Sequence, residues 1–82
     1  MKNFKDYSRA VQDINSKLES CGFYEFYVAR ISSSSVTLQG NYSSDVVRTL
    51  QKFYTTTIEV CDRGYIRLSF DLYGAPIEVV LT

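Results

Sequence analysis

Phe4, Tyr7, Val11, Ile14, Leu18 and Cys21 recur at steps of three and four residues, which places them on one stripe of a helix. Asn3 can cap its start, Asp6 suits the positive end of the helix dipole, and Gly22 suits the left-handed residue that ends a helix. Arg9, Asp13 and Lys17 make an i,i+4 ladder of alternating charge on the solvent side. The pattern predicts a helix from Asn3 to Cys21 whose stripe faces the protein's own core; a homodimer seam or a partner groove is the alternative use of that stripe.

Phe23 to Ile31 is aromatic and β-favouring. Phe23, Tyr27, Ala29 and Ile31 share one parity with Glu25, and Tyr24, Phe26, Val28 and Arg30 share the other. Neither parity is cleanly polar, which predicts a central strand or one covered on both sides. Four serines, Ser32 to Ser35, make a polar turn, and Val36 to Gln39 returns as a second strand of a hairpin.

Ser43 or Ser44 can cap a second helix from Ser44 to Phe53, with Asp45 in its first turn. Val46, Val47, Leu50, Phe53 and Tyr54 form its apolar face, while Arg48, Gln51 and Lys52 face water. The remainder alternates with period two. Thr55–Cys61 is a strand, Asp62-Arg63-Gly64 a tight turn with glycine for positive φ, and Tyr65–Leu72 a strand. Ile66, Leu68, Phe70 and Leu72 point inward, while Tyr65, Arg67, Ser69 and Asp71 point outward. Tyr73 to Pro76 turns the chain into a last strand, Ile77–Leu81. The expected fold class is α+β, with two helices packed on one face of a mainly antiparallel five-stranded sheet in the order α-β-β-α-β-β-β. The other sheet face is then open.

Size and charge narrow the picture. A chain of 82 residues makes one domain, and its hydrophobic share of 45% is enough for a modest core without a metal or disulfide staple. Nine basic and nine acidic side chains are interleaved along the chain, so neither a basic surplus for phosphate contacts nor the acidic surplus of a DNA mimic exists. Zero formal charge leaves little repulsion between copies, which permits a homo-oligomer. The start of the chain does not read as a signal peptide, and the apolar runs are far shorter than the ~20 residues that span a bilayer. A cytoplasmic protein with no membrane partner is therefore expected.

Catalytic chemistry is hard to place here. The chain has no histidine, the side chain that titrates near neutrality and the commonest metal ligand. Cys21 and Cys61 match no zinc spacing, Cys21 belongs to the apolar stripe of the first helix, and no base accompanies Cys61. Glu59, Asp71 and Glu78 share an outward surface with Arg67, which reads as a cross-strand ion-pair array rather than an acid–base pair. The glycines are isolated, so no phosphate cradle opens a helix. No catalytic, cofactor or metal site is expected, and the chain reads as a non-enzyme.

Seven tyrosines change the picture more than any polar group. Tyr24, Tyr65 and Tyr73 fall on or beside the expected open face, with Tyr27, Tyr42 and Tyr54 at edges or element ends. Tyrosine and arginine are enriched at protein interfaces, so another protein is the expected partner and Tyr65, Arg67, Glu59, Asp71, Tyr24 and Arg30 its expected contacts. Size and chemistry suit an inhibitor, adaptor or regulator of the kind carried as accessory proteins by phage and mobile elements. The alternative is a single-stranded nucleic-acid-binding module that stacks bases on the sheet tyrosines beside its arginines. The double-stranded RNA-binding domain also begins α-β-β, but its basic helix start is missing here, and no family motif stands out.

Overall fold

The computed structural model describes residues 4–19, 22, 26–32 and 35–82. Seven elements follow in the expected order: α1 (Phe4–Leu18), β1 (Val28–Ile31), β2 (Val36–Gly40), α2 (Ser44–Phe53), β3 (Thr57–Val60), β4 (Ile66–Leu72) and β5 (Ala75–Leu81). The strands form one sheet in the order β1-β2-β5-β4-β3. Every neighbouring pair is antiparallel except β2 and β5, which run parallel.

The register sorts the sheet into two faces. Ile66, Leu68, Phe70 and Leu72 of β4 align with Leu81, Val79, Ile77 and Ala75 of β5, and Val36 and Leu38 of β2 lie beside Ile77 and Val79. This inner face meets Tyr7, Ala10, Ile14 and Leu18 of α1 and Val46 and Leu50 of α2 in one hydrophobic cluster. Both helices therefore cover the same face, as the two stripes require. Among the described residues the core is built from hydrophobic side chains, with Tyr7 the one that also carries a hydroxyl.

Local chemistry accounts for the boundaries. Ser43 caps α2, its Oγ accepting from the Val46 N–H at 3.4 Å, and Asp45 pairs with Arg48 in the first turn. Gly22 adopts φ +82° and donates its N–H to the Glu19 carbonyl, the left-handed exit expected after α1. The expected limits of that helix, Asn3 and Cys21, lie outside the described residues. Gly64, at φ +84°, closes the β3–β4 turn, with its N–H donating to the Cys61 carbonyl and the Cys61 N–H donating to the Tyr65 carbonyl. This is a three-residue loop with a glycine bulge.

Four expectations need correction. First, β1 is an edge strand rather than a central one, pairing with β2 alone, and Ala29 and Arg30 are exposed. The aromatic run misled because Phe26 packs against the core before the strand begins, and Tyr27 hydrogen-bonds Thr82 through its hydroxyl. The segment 23–25 lies outside the described residues. Second, Phe53 is 44% exposed, with the ammonium groups of Lys17 and Lys52 each 5.4 Å from its ring centroid. It is the last residue of α2 and stands outside the hydrophobic cluster.

Third, the Tyr73–Pro76 turn is shorter than expected: Leu72 pairs directly with Ala75. Tyr73 and Gly74 have φ of 54° and 75°, the two positive values of a type I′ turn. Pro76 therefore belongs to a central strand. The flanking pair Leu72–Ala75 exchanges hydrogen bonds, so the Pro76 nitrogen turns away from β4 toward β2. The β2 ladder starts only at Val36–Ile77, so the missing N–H deprives no partner. Fourth, Tyr73 does not serve the open face, whereas Tyr54 keeps its expected place on the apolar side of α2. Arg9 of α1 lies 5.1 Å from the Tyr73 ring, and Tyr54 stacks on inward-facing Phe70 at 4.7 Å.

Candidate functional site

Both described helices pack on the inner face, so neither lies over the outer face of the sheet. Strand alternation and register place Val28 and Arg30 of β1, Thr37 and Gln39 of β2, and Pro76, Glu78 and Val80 of β5 on this face. Arg67, Ser69 and Asp71 of β4 and Thr57 and Glu59 of β3 join them.

Arg67 is its centre. It stands opposite Glu59 on one side and Val80 on the other. Its guanidinium donates to Glu59 Oε1 at 3.0 Å, and its Nε lies 3.6 Å from Glu78 Oε1, just beyond hydrogen-bond reach. The carboxylates, Glu78 foremost, push the Arg67 pKa upward, so its charge is permanent. The aliphatic stem runs beside Val80, which is 9% exposed although neither described helix covers it. Tyr65 and Cys61 extend the cluster toward the turn, where the Cys61 thiol lies 3.7 Å from Glu59 Oε1. The expected ion-pair array thus exists as Glu59–Arg67–Glu78.

Not every expected contact joins it. Tyr65, Arg67 and Glu59 come together. Arg30 is on the same face but three strands from β4, about 14 Å at ordinary strand spacing. Asp71 lies four residues along β4 from Arg67, about 13 Å away. It lines a shallow open depression of about 360 Å³ with Thr57, Ser69, Pro76 and Glu78. Tyr24 lies outside the described residues. Glu78 and Val80 belong with the central cluster; the period-two pattern of the last strand put Glu78 outward, but nothing in the sequence aligned it with Arg67.

For chemistry the face offers little. Two arginines stand against three carboxylates, and each carboxylate near Arg67 is already engaged or solvated. Among the described residues no group of three His, Cys, Asp or Glu side chains is placed to hold a metal ion. None of the described helices is long and apolar enough to cross a membrane. Comparison with protein-family models, with curated proteins and with solved structures finds no match for this chain.

Proposed function

We propose that this is a non-enzymatic protein-binding domain, an inhibitor, adaptor or regulator that presents the outer face of β3, β4 and β5 to another protein. The observation that carries this reading is the fixed Glu59–Arg67–Glu78 array beside Tyr65 on a sheet face that neither described helix covers. An arginine held between cross-strand carboxylates is preorganised, so it loses less side-chain freedom on association than a free one. Arginine and tyrosine are also the residues most often found as binding anchors. The mixed charge favours a protein over nucleic acid, because both flanking carboxylates oppose a phosphate approaching Arg67.

The test compares proteins captured from the native cell by the wild-type chain and by the Tyr65→Ala/Arg67→Ala variant, using quantitative mass spectrometry. A true partner binds the folded variant at least about tenfold more weakly. A partner that binds both equally removes the outer face from consideration. Salt-dependent retention on single-stranded DNA, lost in the same variant, would transfer the face to nucleic-acid binding.

A further inference from the structure

The sheet ends in two edge strands, β1 and β3, and among the described residues only β1 carries an edge charge with no ion-pair partner in the sheet, the exposed Arg30. Natural edges are normally blunted by lysine, proline, a bulge or a covering element. β3 reads Thr-Ile-Glu-Val, holds a continuous register with β4, and is exposed at all four residues. Its single charge, Glu59, is bound by Arg67 of the same chain. Ile58 and Val60 point to the helix side, yet they are 40% and 74% exposed and stand outside the hydrophobic cluster that the helices cover.

Backbone direction adds a second constraint. The Cys61 N–H bonds to Tyr65 of β4, so alternate residues Cys61, Glu59 and Thr57 turn their backbone groups toward β4. Ile58 and Val60 therefore turn their N–H and C=O groups outward. The two residues with open backbone groups are the two with uncovered apolar side chains.

From this we infer that β3 is a self-pairing edge: two copies join antiparallel through β3, with a two-fold axis at Ile58, into one continuous ten-stranded sheet. In this register Ile58 faces its own copy in a hydrogen-bonded pair, and Val60 faces Thr56, giving about six intermolecular hydrogen bonds. Ile58 and Val60 lose their exposure together. On the outer side Thr57 faces Glu59 of the second copy, a hydroxyl beside a carboxylate. A two-fold axis at Glu59 would also keep the faces aligned, but it sets two carboxylates directly opposite each other. An axis at Thr57 leaves Val60 unpaired. The chain's nine acidic and nine basic groups cancel, so no net charge opposes a second copy. The seam is short and lies below the usual ~1,200 Å² of stable complexes, so the dimer is weak and concentration-dependent.

This inference goes beyond the outer-face reading and does not depend on it. Sedimentation equilibrium across the micromolar range should show a monomer–dimer equilibrium for the wild type. Amide exchange measured at the two ends of that range should show Ile58 and Val60 gaining protection together as the dimer fills. Ile58→Lys should weaken association by roughly tenfold or more without changing the thermal midpoint of the monomer. Ile58→Pro removes an N–H that β4 does not use, so it should abolish the dimer while circular dichroism is retained. Tyr65→Ala/Arg67→Ala should still dimerise. A wild type that stays monomeric throughout, a dimer that survives both Ile58 variants, or one that only the Tyr65 and Arg67 changes dissolve would each overturn the inference.

Discussion

Tyr54 ties α1 to the sheet, and removing its hydroxyl alone tests that tie. Its ring stacks on Phe70 with an interplanar angle of 6°, and its hydroxyl donates to Asp13 Oδ2 at 2.5 Å. Tyr54→Phe keeps the stack and deletes the hydrogen bond. A bond to a carboxylate contributes about 1.5–3 kcal/mol. Here the lower end applies, because the Asp13 side chain is 24% exposed and keeps Lys17 at 3.5 Å after the substitution. A loss of about 1–2 kcal/mol lowers the thermal midpoint of a domain this size by about 5–12 °C.

The pH dependence is a second readout of the same contact. Burial first, and then the hydrogen bond to Asp13, raise the Tyr54 pKa far above the ordinary phenol value. The unfolded chain loses this proton near pH ~10, whereas the folded chain keeps it. The contribution of Tyr54 is therefore intact below that pH and declines as the pH rises above it, by at most about 1.4 kcal/mol per unit for one group. Urea denaturation at pH 8 to 11 should show a shallower alkaline decline in Tyr54→Phe than in the wild type. The Asp13→Asn cycle should assign the difference to this pair. Equal alkaline slopes, or a midpoint change below about 2 °C, would refute the reasoning.

Other substitutions probe the core and the turns. Ile14→Ala and Leu68→Ala, each at a fully buried position, should cost about 2–5 kcal/mol in chemical denaturation, and an unchanged midpoint would dissolve the helix-on-sheet assignment. Gly64→Ala meets no atom within 4 Å, so its cost should be the backbone term alone, about 1–2 kcal/mol, measurable by urea titration. Tyr73→Asn places a residue that tolerates positive φ in the type I′ turn and should raise stability by up to about 1 kcal/mol. A drop instead would show that the contact of the Tyr73 ring with Arg9 outweighs the relief.

Alternation and helical stripe were enough to read α2, whose limits Ser44 and Phe53 agree with the sequence expectation, and to sort Arg67 from Leu68 on β4. These are local properties, set by period and capping. Strand order is not local. Nothing in Phe26 or Val28 says that β1 has a neighbour on one side only, and nothing in Ile58 or Val60 says that the hydrophobic cluster stops short of β3. The same limit applies to the candidate face: parity set Glu59, Arg67 and Glu78 outward, but only the β4–β5 and β3–β4 registers bring them within reach. Pro76 shows the converse error, where a sound local rule was overridden by the point at which the β2 ladder begins.

The strand that comes last in this sequence lies in the middle of the sheet. β5 is flanked by β2 and β4, so β1–β2 and β3–β4 have no sheet contact except through it. During synthesis the chain therefore emerges as two separate hairpins, each with an apolar face and no common lattice. Neither can be completed until residues 75–81 leave the ribosome and insert between them. Assembly is then one late, long-range event, slow by the standards of a domain this small. Until that insertion, the open sides of β2 and β4 are the surfaces most in need of protection by a chaperone.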